Sequence, residues 1–192
     1  MPSAADKWDA IFAQQSCEHV FAAEVLQQNS HLLPESGVAL DLACGLGGNA
    51  ILLAQHGLNV YALDISYTAL SKVDEYAQRH HLDIKTKQHD VELNPLPVEG
   101  YDVVVVSNFL CRPSVKNIRD SLKVDGLLFY QTFTREKAIQ TGPTNPDYLL
   151  NKNELLSMCK GMDILVYREE GVQGNLDQGW RNQAMIVAQR RV

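Results

Sequence analysis

Over residues 5–28 the apolar positions fall at helical spacing. Trp8, Ile11, Phe12, Val20, Phe21, Val25 and Leu26 make one side, which predicts one or two amphipathic helices. Pro34-Glu35-Ser36-Gly37 breaks that pattern, and from there short apolar runs alternate with helical ones. Residues 38–42 read as a first strand, followed by a Gly-rich turn and a helix through Gln55. Residues 58–63 form a second strand ending at Asp64. Ser66 then caps a helix that carries Leu70, Val73 and Ala77 at helical spacing. A third strand lies near 84–89. Residues 102–107 are apolar through their middle, as in a strand covered on both faces.

A helix over 114–123 and the turn Asp125-Gly126 lead into a fifth strand at 127–132. Residues 134–150 are a long loop of the kind that often carries function. A helix at 151–159 precedes two strands, 163–168 and 183–189, joined by the Gly-rich stretch 171–179 with no helix between them. The expected fold is therefore α/β: a Rossmann-like doubly wound sheet, mostly parallel, with an antiparallel C-terminal edge strand. The 192 residues suit one domain, with 1–33 as an N-terminal helical segment and 38–192 as the α/β core.

Composition changes that picture little. Hydrophobic residues make up 45% and charged residues 21%, which fits a chain with a full core. The charge does matter: 23 acidic against 17 basic residues give a net −6, and no dense basic stripe precedes Arg190-Arg191, which argues against a nucleic-acid substrate. Cys17, Cys44, Cys111 and Cys159 form no CxxC pair, which points to reduced thiols in a cytoplasmic protein. No signal peptide is read at the start, and no apolar run approaches the ~20 residues of a membrane span. The histidines show no HxH or HExxH spacing, so no metal site is expected.

Candidate chemistry begins after the first strand, where open α/β sheets bind their ligands. In Asp41-Leu42-Ala43-Cys44-Gly45-Leu46-Gly47-Gly48-Asn49-Ala50 the glycines allow close backbone approach, and the next helix offers free N–H groups. Asp64 follows Gly45 by 19 positions, placed to accept from both hydroxyls of a ribose. Gly45-x-Gly47-x-x-Ala50 with Asp64 also satisfies the dinucleotide fingerprint, so an NAD(P)-dependent oxidoreductase is the alternative. Asp41 would repel a pyrophosphate but favour a cationic sulfonium. Asp90 at the end of the third strand can accept from an adenine amino group. Tyr148-x-x-x-Lys152 has short-chain dehydrogenase spacing, yet straddles a loop-to-helix boundary in the wrong place.

Asp41-Leu-Ala-Cys-Gly45-Leu-Gly47, Asp64, Asp90 and Leu122-Lys-Val-Asp-Gly126 together resemble the class I S-adenosylmethionine-dependent methyltransferase family. Trp8-Asp9-x-x-Phe12, Gly47-Gly48-Asn49-Ala50 and Asp64-Ile65-Ser66 are similar to small bacterial members related to tellurite-resistance methyltransferases. The resemblance covers most of the chain. It implies S-adenosylmethionine as cofactor, S-adenosylhomocysteine as product, and a small-molecule acceptor, anionic or metalloid. The implied cofactor-binding residues are Asp41, Ala43, Cys44, Gly45, Gly47, Asn49, Asp64, Ile65, Asp90, Val91, Ser107 and Asn108. Gly48 stands where these relatives often carry a basic residue, and Gln131 where they often carry Glu.

Methyl transfer from a sulfonium needs alignment and exclusion of water more than a dedicated triad. Acceptor-side candidates are Asn108, Cys111, Arg112 and Gln131, with Arg112 as a fork for an anion. The plainer readings are a strand-end cap for Asn108, a small buried residue for Cys111 and a solvated turn residue for Arg112. His89 is a candidate base or simply structural, and Cys44 a remote candidate nucleophile. Asn145-Pro146-Asp147-Tyr148 looks like an amino-methyltransferase turn but follows the wrong strand, so it starts the next helix or joins a lid. Trp8 and Phe12 are lid residues or core anchors. A third reading is a module that binds the cofactor without turnover.

Overall fold

The computed structural model describes residues 3–191. Its helices are α1 (Ala4–Ala13), α2 (Glu24–Gln28), α3 (Gly48–Gln55), α4 (Tyr67–His80), α5 (Val115–Ser121) and α6 (Glu154–Met158). The strands are β1 (Val38–Leu42), β2 (Asn59–Asp64), β3 (Ile84–Gln88), β4 (Tyr101–Ser107), β5 (Leu122–Phe133), β6 (Asp163–Arg168) and β7 (Gln183–Gln189). They form one sheet in the order β3-β2-β1-β4-β5-β7-β6. The first five run parallel, while β7 runs antiparallel to both β5 and β6. The antiparallel C-terminal strand is thus present one place in from the edge, with β6 outside it.

Alternating side chains divide the core between the two faces of the sheet. Ala39, Val60, Val103, Val105 and Phe129 pack with α2, α3 and α4. Leu40, Val104, Val106, Leu128 and Tyr130 pack with Ile118 of α5 and Leu155 of α6. Val103 to Val106 are all fully buried, because β4 lies mid-sheet with apolar neighbours on both faces. The fifth strand starts earlier than the turn Asp125-Gly126 suggests. It runs through that turn by a register shift opposite Tyr101–Val103, with Asp125 at φ +64.

The N-terminal segment differs most from the periodic pattern. Ser3 and Asp6 make a reciprocal capping box that starts α1, but the helix ends at Ala13 and buries no residue. Residues 20–23 are irregular, and Phe21, placed by periodicity on the apolar side, is 84% exposed. Val25 and Leu26 do enter the core. Gly48 explains the path of this segment, because a Cβ there would lie 2.3 Å from the Phe21 carbonyl oxygen. The chain crosses directly over the first residue of α3, and any side chain there would displace it.

Candidate functional site

Strand order reverses between β1 and β4, so the loops after these strands part and leave a crevice. A cavity of about 340 Å³ occupies it. Leu42, Ala43, Cys44 and Gly45 form its floor. Asp64 and Ile65 border it after β2, His89 to Glu92 after β3, and Ser107 to Phe109 after β4. Ala4, Trp8 and Phe12 of α1 form the remaining wall.

The floor and the β2 end are locked together. The Gly45 N–H donates to Asp64 Oδ2 at 2.8 Å, and the Ser66 N–H donates to Asp64 Oδ1 at 2.8 Å. Each carboxylate oxygen keeps a lone pair for another donor. Burial pushes the Asp64 carboxyl upward, while the Ser66, Gly45 and Ile65 N–H groups pull it back. Gly45 itself sits at φ +51, and a Cβ on it would be 3.1 Å from the Phe12 ring. A glycine there lets the loop lie against α1.

Three residues expected to touch the cofactor lie beneath the cavity instead. Asp41 is fully buried, accepting from the Ala50 N–H at 3.0 Å and from Asn49 Nδ2 at 3.1 Å. Burial pushes its carboxyl up to about 7 against those two bonds, and the Asp64 charge adds to the rise. Asn49 spends its amide entirely on the protein: Oδ1 accepts from the Ala23 N–H at 2.8 Å, and Nδ2 donates to Asp41 and to Ser107 Oγ at 3.0 Å. Gly47, at φ +75, caps α3 and leaves room for Val73, whose Cγ2 would be 2.9 Å from an added Cβ. These three build the turn rather than line it. A spacing motif names the turn without distinguishing its surface from its support.

Ala43, Cys44, Gly45, Asp64, Ile65 and Asp90 line the cavity, as do Val91, Ser107 and Asn108. Cys44 supplies wall but no nucleophile: burial, then the Asp41 and Asp64 charges, hold its thiol well above the ordinary range and therefore neutral. His89 lies at the wall with Nε2 3.0 Å from the Asn94 carbonyl. A carbonyl only accepts, so this nitrogen carries the proton. Ala4, Leu42, Glu92 and Phe109 also line the space. Glu92 and Phe109 each stand within two residues of a named candidate, but no motif marks them.

Of the acceptor-side candidates, only Asn108 reaches the cavity. Cys111 is buried, its sulfur 2.9 Å from Ser114 Oγ. Arg112 is no anion fork and no solvated turn residue. Its Nε and Nη2 clasp Glu154 at 2.6 and 3.0 Å, and Nη1 and Nη2 donate to the carbonyls of Asp147 and Leu149. It fastens the loop after β5 to α6. Gln131 is buried below Asn108, bonded to Val25 and Gln183. Asn145 to Tyr148 form a separate 3-10 turn, capped by Asn145 Oδ1 on the Asp147 N–H, away from the lining residues.

Both aromatics of α1 line the cavity, and Phe12 also packs against the core beneath it. Trp8 and Phe12 stack with ring centroids 5.6 Å apart, and Trp8 remains 42% exposed. The helix is held to α4 from both ends. Asp9 Oδ1 accepts from Ser66 Oγ at 2.5 Å and the Thr68 N–H at 2.9 Å, while Lys72 Nζ donates to the carbonyls of Phe12, Ala13 and Gln15. Among the described lining residues, Asp64, Asp90 and Glu92 are acidic and none is Lys or Arg. Such a wall suits a cationic or neutral ligand and opposes a pyrophosphate.

Residues 39–126 match the family described as a methyltransferase domain. The structure is similar to TehB from Haemophilus influenzae, with a TM-score of 0.73 and 21% identity, over 96% of this chain and 67% of that one. It is also similar to geranyl diphosphate C-methyltransferase from Streptomyces coelicolor A3(2), with a TM-score of 0.68 and 12% identity, over 87% of this chain and 79% of that one. That structure contains S-adenosyl-L-homocysteine. A 65-residue stretch, 34% of this chain, is 37% identical to Hemagglutinin 1 of Eikenella corrodens. The chain matches only 21% of that protein's length. No helix among the described residues is long and apolar enough to cross a membrane.

Proposed function

With residues 39–126 a methyltransferase domain, on the fold of the S-adenosylmethionine-dependent enzymes, we propose that this chain transfers a methyl group to a small molecule. The observation that carries the reading is the Asp64 carboxylate at the cavity's edge. It is fixed by two backbone N–H groups and keeps one lone pair on each oxygen, the arrangement a ribose diol requires.

Asp90 and Ile65 flank the adenine end. The Asp90 Oδ1 already accepts from the Glu92 N–H at 2.9 Å, which aims the side chain. The bend from Ala43 to Gly45 takes the amino-acid end, and α1 excludes water from above. When bound, the sulfonium supplies the methyl group and leaves as a neutral thioether. This chain's residues align it and shield it.

The direct test is calorimetry with S-adenosylmethionine, S-adenosylhomocysteine and NAD. Tight binding of the first two and none of NAD is expected; the reverse order overturns the reading. Turnover, read as S-adenosylhomocysteine release with acceptor present, separates an enzyme from a module that only binds.

Removing residues 1–12 tests the wall formed by α1. The truncated chain is expected to fold and to bind S-adenosylhomocysteine roughly tenfold more weakly, as two aromatic rings leave the ligand's face. Unchanged affinity in the folded truncate would remove any lid role.

Asp41 gives a pH signature. Its folded value of about 7 lies above the ordinary 3.8, so the stability it contributes is present below about pH 4 and lost as pH rises through 7. A cationic sulfur above it favours the ionised form, whereas neutral S-adenosylhomocysteine does not. The affinity ratio of S-adenosylmethionine to S-adenosylhomocysteine is therefore expected to rise between about pH 6 and pH 8. A flat ratio over that window would place the sulfur beyond the influence of Asp41.

A further inference from the structure

Resting on the methyl-transfer reading, we infer that Asn108 recognises an uncharged acceptor through its amide N–H groups, and that Gln183 and Gln131 are the positioning residues that turn this amide. The inference begins at a backbone N–H in α2. Val25 N can only donate, and it does so to Gln131 Oε1 at 2.8 Å in a buried site. This fixes which end of the Gln131 amide is oxygen, so Nε2 faces the other way and donates to Gln183 Oε1 at 2.8 Å. Gln183 is fixed in turn, and its Nε2 donates to Asn108 Oδ1 at 2.8 Å. Three amides point in one direction because the first link has no alternative.

The consequence falls on the last member. Asn108 lines the cavity just after β4, exposed and at φ +55, with its backbone N–H tied to the Gln131 carbonyl at 2.9 Å. Its oxygen is occupied by Gln183, and its Nδ2 has no partner among the described residues. What it turns toward a bound molecule is therefore its pair of N–H donors, one lone pair of its oxygen being held by Gln183.

The surroundings decide the charge of the molecule that takes them. Trp8 and Phe109 are wall residues of the same cavity, and the acids Asp64, Asp90 and Glu92 stand without a basic residue among the described lining groups. Arg112, the nearest guanidinium in sequence, is committed to Glu154 and two carbonyls. An anion entering here would lose its hydration and gain only the uncharged Asn108 N–H pair, among described lining groups with three acidic residues and no Lys or Arg. An uncharged molecule with a hydrogen-bond-accepting oxygen, next to a neutral nucleophilic nitrogen or sulfur, loses little and pairs with Asn108.

The step balances without a further reagent. The acceptor's lone pair forms the new bond to the methyl carbon as the carbon–sulfur bond breaks with its electrons going to sulfur. The donor's positive charge passes to the methylated product.

The experiment uses the full chain with S-adenosylmethionine and measures S-adenosylhomocysteine release. The uncharged probes are nicotinamide and thiomorpholine-3-one; the anionic probes are tellurite, selenite and nicotinate. S-adenosylhomocysteine binding is measured first. If it fails, the underlying methyl-transfer reading fails, and not merely the acceptor class. With binding intact, release above the acceptor-free rate for an uncharged probe, and none above it for the anions, is expected. Faster release with any anion, or none with either uncharged probe, overturns the inference.

Gln183→Glu then tests the chain of amides. A carboxylate at 183 can only accept, so Asn108 must turn its Nδ2 toward it and present oxygen to the cavity. The expected result is a rise of roughly tenfold in KM for the uncharged probe, the scale of one lost hydrogen bond. The kcat and the S-adenosylhomocysteine affinity should stay within about twofold. Gln183→Met, which orders nothing at Asn108, should fall between the two. An unchanged KM in Gln183→Glu, or an equal loss of cofactor affinity, would overturn the positioning role.

Discussion

Asn49→Ala is expected to lower the unfolding free energy by about 3–5 kcal/mol, the cost of leaving buried polar and charged groups without partners. The substitution removes three bonds at once, strands the Ala23 N–H and leaves the fully buried Asp41 carboxylate with only the Ala50 N–H. Ser107, at the cavity wall, loses its anchor as well. Thermal unfolding should shift down by roughly 6–20 °C for a domain of this size. Raising the pH from 6 to 8 should deepen the loss, because Asp41 is then ionised with one donor fewer. A variant that melts within a degree or two of the parent would mean that the segment over Gly48 docks by packing alone.

Asp64→Ala should leave the chain folded and weaken S-adenosylhomocysteine binding by about 1.5–3 kcal/mol, the range for hydrogen bonds to a charged group. That corresponds to roughly 10- to 150-fold in Kd. The loss has two sources: the ribose hydroxyls lose their acceptor, and the Gly45 N–H loses the partner that holds the loop. Asp64→Asn separates them, since its single amide oxygen can keep one of the two backbone bonds while carrying no charge. Because burial raises the Asp64 carboxyl, wild-type affinity should begin to fall on acidification earlier than for an exposed aspartate. Parent-like affinity in Asp64→Ala would show that the ribose lies elsewhere.

The two predictions touch neighbouring residues of one motif, yet one concerns folding and the other ligand. The motif's spacing could not separate those roles. Asp41, Gly47 and Asn49 belong to the same ten-residue stretch as Ala43, Cys44 and Gly45. Only the direction of each side chain in the turn assigns them to support or to surface. Arg112 makes the same point at longer range, since its partner Glu154 is 42 residues away and belongs to a different helix.

What the sequence by itself determined is whatever depends on local order: the alternation of strands and helices, the buried run of β4, the Gly-rich bend and the acidic ends of β2 and β3. Those features follow from periodicity, from glycine's access to positive φ, and from neighbours within a few residues. The tertiary structure decided the rest. It laid α1 along the cavity with Phe12 against the core, drew Arg112 away to Glu154, and ran a line of amides from Val25 to Asn108 across separations of 106, 52 and 75 residues. A hydrogen bond's direction depends on which groups face each other, and chains this distant in sequence meet only once the sheet has formed.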